Sequence, residues 1–383
     1  MKSICGVPGV KAWGIKEGKY GLALIEASGT AAGVFTANLV RAPPITLMEQ
    51  RIRKGYLDAI IVNSGCANAY TGEQGYQDAL KMGEIAGTAL GIDPESVGMA
   101  STGVIGRYLN LPLIENQCVR IAPLLEQSEE AEIQTARAIM TTDLFEKHAI
   151  VRGDGFTVGG ITKGSGMIAP DMGTMLAFIY TDADIAASAL YPALKQAADR
   201  SFNRVVVDGD MSTNDIALCT ATGHAGEVDA AEFSQALEAC CQSLAIQIAR
   251  DGEGATKLIE VTVRGAGSEE GAARVARTVV ASPLVKTAVY GEDPNWGRVI
   301  AAAGRAGVRF DPDMTSLWIS DGAVRLPLVV DGKIVVDLAA AKLAMHGNTV
   351  IFELDLHVGG GTATAWGCDL TEKYVEINGR YTT

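Results

Sequence analysis

Thr174 is the residue whose position in this sequence most suggests chemistry. It follows a segment rich in glycine and methionine and precedes an unbroken apolar run, residues 175–180. Such a run predicts a strand buried on both faces, which would hold a threonine at its start rigidly. If the chain is cut before Thr174, that residue carries a hydroxyl nucleophile together with its own α-amine as a base. Without a cut, the same residues predict an ordinary turn before a buried strand, and both interpretations stay open at this point.

Three further places carry groups suited to acyl transfer. Lys163 lies eleven residues before Thr174 in a glycine-rich segment, a predicted loop that a substrate carboxylate could approach. Residues 100–106, ASTGVIG, predict a turn whose hydroxyl and N–H groups could stabilise an oxyanion. Glu292, in YGEDPNWGR, could bind an ammonium group or simply complement the dipole of the helix predicted to begin near Asn295. Taken alone, each place also fits an ordinary solvated lysine, turn or helix start.

Several blocks, taken together, resemble one known family over essentially the whole chain. In chain order they are GVPGVKAWGIKEGKYGLALI, VNSGCANAYTGEQG, ASTGVIG, TTD, KGSGMIAPDMGTMLAFIYTDA, DGDMSTND, YGEDPNWGR and INGRYTT. The chain is thereby similar to the ornithine acetyltransferase (glutamate N-acetyltransferase) family, whose precursor cleaves itself before a threonine. The family usually has alanine before that threonine, whereas this chain has Gly173. The substitution puts the rate of cleavage in question more than the transfer chemistry.

The resemblance implies an architecture and a division of the chain. The fold expected is α/β, a layered sandwich of the ornithine acetyltransferase and self-cleaving aminopeptidase type. Cleavage between Gly173 and Thr174 would give an alpha chain, residues 1–173, and a beta chain, residues 174–383, packed into one body. Two such pairs would form a heterotetramer.

The resemblance also implies the roles of individual residues. Thr174 would be the nucleophile, with Thr102 and Gly103 holding the oxyanion. The substrate-binding residues would be Thr141, Lys163, Thr174, Glu292, Asn378 and Thr383. Thr142 is the alternative to Thr141, because the loop that follows varies in length within the family. The segment DGDMSTND is interpreted as a hydrogen-bonded wall of the active site rather than a calcium loop, since it lacks the twelve-residue pattern and closing glutamate.

The activity implied is transfer of the acetyl group of N2-acetylornithine to glutamate through an acetyl-threonine intermediate, in arginine biosynthesis. The products would be ornithine and N-acetylglutamate. No cofactor is expected, although some family members also take acetyl-coenzyme A as an acetyl donor. Two alternatives are a self-processing hydrolase or aminopeptidase of the same architecture, and a non-catalytic amino-acid-binding relative.

Composition restricts the class of partner. Net charge is −13, from 32 basic and 45 acidic residues, which argues against binding to nucleic acid phosphates. No stretch approaches the about 20 apolar residues of a membrane span, and no secretory signal is expected at the start. The four histidines are scattered without metal-ligand spacing, so no metal site is expected. The seven cysteines lack framework spacing and predict free thiols in the cytoplasm.

The length of 383 residues suggests two packed units, but no change of composition marks a linker. Apolar periodicity predicts helices at 75–90, 133–140, 185–200, 230–249, 272–280 and 297–303. Predicted strands are 20–27, 59–63, 204–207, 256–264, 349–356 and 362–368, with short strands in 318–336. Asp331-Gly332 is the better of two hairpin turns there. The cut at Thr174 is therefore expected inside one packed body.

Overall fold

The computed structural model describes residues 1–169 and 175–380. They form the α/β fold that the sequence predicts, with two sheets and flanking helices. The strands of this part are β1 (Lys11–Glu17), β2 (Tyr20–Phe35), β3 (Tyr56–Cys66), β4 (Val97–Val104), β5 (Lys147–Arg152), β6 (Thr157–Lys163), β7 (Leu176–Asp184), β8 (Val205–Val206), β9 (Ile216–Glu227), β10 (Leu258–Ala266), β11 (Ser316–Ser320), β12 (Arg325–Val330), β13 (Lys333–Ile334), β14 (Thr349–Asp355) and β15 (Gly361–Cys368). The α-helices are α1 (Pro43–Arg51), α2 (Gly72–Leu90), α3 (Leu111–Ile121), α4 (Glu129–Ile139), α5 (Ala187–Asp199), α6 (Ala230–Arg250), α7 (Glu269–Val280), α8 (Pro283–Tyr290), α9 (Trp296–Gly304), α10 (Leu338–Leu343) and α11 (Glu372–Arg380).

The first sheet combines strands from both sides of residue 173. Its order is β4-β3-β2-β9-β7-β6-β5, with β1 also paired to β2. β6 precedes residue 173 and β7 follows it; the two pair antiparallel, with Lys163 opposite Leu176. β9 lies between β7 and β2, parallel to the first and antiparallel to the second. The two expected fragments therefore share one hydrogen-bonded sheet.

The second sheet contains only strands that follow residue 200, in the order β13-β12-β11-β14-β10-β15-β8. β12 and β13 are joined by Asp331-Gly332, whose φ angles are 46° and 71°. Two consecutive residues with positive φ are typical of the type I′ turn of a two-residue hairpin. The hairpin predicted at this Asp-Gly pair is confirmed.

Helix α6 packs between the two sheets, and α5 packs against α6 and the first sheet. α6 contacts β5 and β6 of the first sheet and β8 and β15 of the second. Its side chain Leu244 belongs to a core cluster with Ile179 of β7 and Trp366 of β15. Helices α1 to α4 contact the first sheet, and α7 contacts β10 and β15 of the second. The apolar faces of both sheets are thus covered by helices.

β7 is buried on both faces, as the apolar run after Thr174 predicts. Phe178 and Tyr180 lie in the core cluster shared with α1 to α4. Ala177 and Ile179 lie in the cluster shared with α5 and α6. Side chains that alternate between two cores require an apolar residue at every position, which explains the unbroken run.

Two segments predicted as loop or turn are strands, and this is a correction. Gly159 and Gly160 belong to β6, and most of ASTGVIG belongs to β4. A Cβ on Gly159 would lie 2.6 Å from the carbonyl oxygen of Ser3, and one on Gly160 would lie 2.9 Å from Leu244 Cδ1. The glycines allow neighbouring chain to pack closely against the strand, a use of glycine that also occurs inside sheets.

All seven cysteines are free and buried. Within residues 1–169 and 175–380, no three histidine, cysteine, aspartate or glutamate side chains are grouped to hold a metal ion. No helix of the same ranges combines the length and the apolar character needed to cross a bilayer.

Candidate active site

A cavity of about 200 Å³ lies where β4 and β6 end, beside the segments that follow α4 and α6. It brings together residues that are far apart in sequence but were predicted to act together. Those of its lining that the sequence singled out for oxyanion or substrate binding are Thr102, Gly103, Thr141, Thr142, Lys163 and Asn378.

Lys163 is the last residue of β6, and its side chain is almost completely buried, with 2 % exposed. Its Nζ donates a hydrogen bond of 3.3 Å to Thr102 Oγ1. Burial lowers the pKa of Lys163, and the carboxylate of Asp143 opposes that shift. An ammonium group on the wall of a cavity can bind a substrate carboxylate.

Thr102 and Gly103 lie near the end of β4, next to the parallel strand β3. Gly103 has a φ of +127°, and a Cβ there would lie 2.4 Å from the carbonyl carbon of Gly65. This position therefore requires glycine both for its backbone conformation and for space. The hydroxyl of Thr102 and the backbone of Gly103 are presented to the cavity from a rigid strand end, which suits donors to an oxyanion.

Thr141 and Thr142 both line the cavity, directly after α4. The N–H of Thr141 donates to Asp143 Oδ2 at 3.0 Å. The placement of the two threonines leaves both available for substrate contact.

Ser212, Thr213 and Asn214 form another part of the lining, where DGDMSTND predicts a hydrogen-bonded wall. Asn214 is 3 % exposed, and its Nδ2 donates to the carbonyl oxygens of Ala67 and Ser101 at 2.7 and 2.9 Å. These bonds tie the segment after β8 to the ends of β3 and β4. The wall is therefore fixed to β4, which carries Thr102 and Gly103, and to the end of the neighbouring strand β3.

Glu253 is a carboxylate of the cavity that the sequence did not single out. It lies three residues after α6 and is half-buried. Asn378 Nδ2, on α11, donates to Glu253 Oε2 at 2.7 Å. From sequence alone, a glutamate just after a helix end is indistinguishable from an ordinary surface charge; its proximity to Asn378 depends on a contact across 125 residues.

Glu292 is not among the described residues that line the cavity. Its carboxylate is bound by Lys257 Nζ at 2.8 Å and by His346 Nδ1 at 2.7 Å. The hydrogen bond from Lys257 lowers the pKa of Glu292. The structure thus gives Glu292 two partners within the protein, Lys257 and His346, and places a different carboxylate, Glu253, at the cavity.

Gly173, Thr174 and Thr383 lie outside the described residues. The residue after Thr174 is held firmly: the N–H of Met175 donates to Asp215 Oδ1 at 2.8 Å. Asp215 is fully buried, and burial raises its pKa well above the usual value. On the N-terminal side of the expected cut, Asp208 accepts the N–H groups of Met167 and Ile168 at 2.6 and 2.9 Å.

Comparison with known proteins gives one consistent result. The model of the ArgJ family matches residues 8–383. A protein of Methanosarcina mazei named glutamate N-acetyltransferase is 49 % identical over 388 aligned residues, covering 99 % of this chain and 98 % of the relative. The arginine biosynthesis bifunctional protein ArgJ of Archaeoglobus fulgidus is 46 % identical, covering 99 % and 100 %.

Among solved structures, the arginine biosynthesis bifunctional protein argJ of Bacillus halodurans is similar with a TM-score of 0.51 and 42 % identity. The alignment covers 53 % of this chain and 98 % of that chain. The resemblance drawn from the sequence blocks is thereby confirmed.

Proposed function

The chain belongs to the ArgJ family, and we propose that it transfers the acetyl group of N2-acetylornithine to glutamate in arginine biosynthesis. One observation carries the proposal beyond family membership. Thr102, Gly103, Thr141, Lys163 and Asn378 line a single cavity although they come from four separate segments. The cavity combines possible oxyanion donors with a buried cation, as acyl transfer to and from amino acids requires.

The reaction begins after cleavage exposes the α-amine of Thr174. The hydroxyl oxygen attacks the acetyl carbon while the amine, with an ordinary pKa of about 7.7–8.0, takes the hydroxyl proton. The amide C–N bond then breaks, the proton passes to the leaving amine, and ornithine departs from an acetyl-threonine ester. Attack by the α-amine of glutamate on this ester forms N-acetylglutamate and restores the hydroxyl. Thr102 and Gly103 are the proposed donors to the oxyanion in both halves.

Substrate recognition follows from the charges of the cavity. N2-acetylornithine carries an α-carboxylate and a distant δ-ammonium, and Lys163 is the proposed partner of the carboxylate. For the ammonium, the family resemblance assigned Glu292, whereas the position of Glu253 in the cavity supports Glu253. Thr141 or Thr142, Asn378 and Thr383 complete the proposed set of contacts.

Three finer features belong to the same proposal. Cleavage between Gly173 and Thr174 gives alpha and beta chains that assemble as a heterotetramer of two of each. The reaction takes place in the cytoplasm, consistent with seven cysteines that are all free. It needs no cofactor, and acetyl-coenzyme A is a candidate second donor of the acetyl group.

The test is incubation of purified protein with N2-acetylornithine and glutamate, with and without acetyl-coenzyme A. Formation of ornithine and N-acetylglutamate in equal amounts supports transfer. Release of acetate in place of N-acetylglutamate would instead establish a self-processing hydrolase. An uncleaved protein that binds amino acids without turnover would establish a binding relative. N-acetylglutamate formed from acetyl-coenzyme A in the absence of acetylornithine would show that both donors are used.

A further inference from the structure

Lys147, the first residue of β5, is a lysine with no solvent-exposed surface. Its Nζ lies 2.8 Å from Asp143 Oδ1 and 2.5 Å from Asp251 Oδ2, and the side chains of both carboxylates are fully buried. A buried ion pair of this kind adds little net stability compared with an apolar replacement, because removing charges from water is costly. Its presence beside the cavity therefore calls for a role other than stability.

The carboxylate of Asp143 joins two separate parts of the cavity lining. Its Oδ2 accepts the N–H of Thr141 at 3.0 Å. Its Oδ1 accepts the N–H of Gly164, which directly follows Lys163, at 2.7 Å. A single side chain thus fixes the backbone of a proposed substrate-binding threonine relative to the backbone of the proposed carboxylate-binding lysine.

Asp251 binds Leu144 and Ser165, which belong to the same two segments as Thr141 and Gly164. Its carboxylate accepts the N–H of Leu144 at 3.1 Å, and its carbonyl oxygen accepts the hydroxyl of Ser165 at 2.6 Å. Lys147 bridges Asp251 to Asp143 and so connects all four contacts. The cluster of Asp143, Lys147 and Asp251 is called the buried triad below.

We propose that the buried triad is a positioning device for substrate binding, in which Asp143 sets the place of Lys163 in the cavity. Lys147 and Asp251 act through Asp143 and do not touch the substrate. The inference rests on the proposed function in one respect, the binding of a substrate carboxylate by Lys163.

The electrostatic part of the inference depends on every charge that faces Lys163. Burial lowers the pKa of Lys163 and is the largest effect; Asp143 is the strongest opposing charge, with smaller contributions of the same sign from Asp215 and Glu253. Lys147 lowers the pKa of Lys163 further. Lys16 is also close enough to interact with Lys163, and its own pKa is lowered, mainly by burial, to about 8.

The sign of the pH dependence follows. A lysine binds a carboxylate strongly only while protonated, so affinity is lost as pH rises through its pKa. Removing the charge of Asp143 lowers the pKa of Lys163, and the loss of affinity must then begin at a lower pH. Removing Lys147 while Asp143 stays charged has the opposite effect, and the loss must begin at a higher pH.

The experiment measures KM for N2-acetylornithine as a function of pH in Asp143→Asn protein that has been cleaved before Thr174. The same profile of Lys163→Met shows which part of the pH dependence comes from Lys163. Asp143→Asn should raise KM at least about tenfold near neutral pH and move the alkaline rise in KM to lower pH. The matched control is Asp182→Asn. Asp182 is also a buried carboxylate that accepts a backbone N–H, that of Thr157 at the far end of β6. This control should keep the wild-type profile.

A second variant tests the same inference if the Asp143→Asn protein does not fold. Lys147→Met combined with Asp251→Asn removes one buried charge of each sign and leaves Asp143 intact, and it should move the alkaline rise to higher pH. A wild-type profile in folded Asp143→Asn protein, or a shift to lower pH in the double variant, would overturn the inference. If Lys163→Met itself leaves KM unchanged, the proposed role of Lys163 fails instead, so the two failures can be told apart.

Discussion

Replacement of Glu253 by glutamine tests which carboxylate recognises the ammonium end of acetylornithine. The substitution removes a charge and keeps the size of the side chain. The bond from Asn378 to Glu253 Oε2, at 2.7 Å, can be preserved because an amide oxygen also accepts. A hydrogen bond to a charged group contributes about 1.5–3 kcal/mol and a neutral one about 0.5–1.5 kcal/mol. The difference is about 1–1.5 kcal/mol, or roughly a tenfold increase in KM for N2-acetylornithine.

The acceptor substrate should respond differently. Glutamate has a carboxylate where acetylornithine has an ammonium group, so a neutral residue 253 removes a like charge from its neighbourhood. KM for glutamate should therefore stay constant or fall. Steady-state kinetics with each substrate varied in turn measures both constants in one preparation.

Glu292→Gln is the matched control for this prediction. Glu292 is bound by Lys257 and His346 and is not among the described residues of the cavity lining. Its replacement should leave both KM values close to the wild type. If Glu292→Gln raises KM for acetylornithine and Glu253→Gln does not, the assignment from family resemblance is right and the argument from the cavity is wrong.

The remaining predictions concern the nucleophile and the oxyanion donors. Thr174→Ala should leave the chain whole and inactive, whereas the wild type should show fragments of 173 and 210 residues on a denaturing gel; fully active protein in a single intact band would refute self-cleavage. Mass spectrometry of wild type with acetylornithine and no glutamate should find one acetyl group on the fragment that begins at Thr174, and a label elsewhere would move the nucleophile. Gly103→Ala should lower both kcat and stability, by about 1–3 kcal/mol for the strained backbone, because its Cβ would lie 2.4 Å from Gly65. Gly106→Ala, also at positive φ but with nothing within 4 Å of the new Cβ, should lose less stability in thermal unfolding and keep kcat.

Amphipathic elements were predicted well because their pattern depends on one buried face. The helix predicted over 230–249 is α6, Ala230–Arg250, and its side chains Phe233, Leu237 and Leu244 are buried as their spacing indicates. The strand predicted over 256–264 is β10, Leu258–Ala266, with Ile259, Val261 and Val263 buried. Periodicity records burial directly, so it suffices where a single face is covered.

Apolar periodicity does not predict helices that begin with proline or a strand that contains glycines. Helices α1, α3 and α8 have proline in the first turn, where it is tolerated, and were not predicted. The sequence predicts a loop where β6 lies, because two residues of this strand are glycines, which here allow close packing. Glycine and proline interrupt periodicity in sequence even where the backbone is regular, so propensity alone gave the wrong answer.

The site depends on contacts that no local pattern encodes. Lys163 and Thr102 are 61 residues apart, and Asn378 and Glu253 are 125 residues apart. The blocks shared with a family identified most of the candidate residues, but only the strand order brought them to one cavity. Asp143 is the last residue of the family block TTD, but Lys147, Asp251 and Glu253 have ordinary sequence surroundings, and the contacts that connect them to the cavity are visible only in the structure.

The described residues on both sides of the expected cut are held by strand pairing and hydrogen bonds. β6 and β7 pair along their length from Val158 with Thr181 to Lys163 with Leu176, so the bonds that hold them together do not include the peptide bond after Gly173. After the expected cut, Asp215 accepts the N–H of Met175. Before the expected cut, Asp208 accepts the N–H of Met167. The proposed cut lies between these two fixed points and outside the ranges of β6 and β7, and the new amine would belong to the residue that precedes Met175. The pairing of β6 with β7 would therefore hold the two proposed fragments together after a cut, and Lys163 at the end of β6 also lines the cavity.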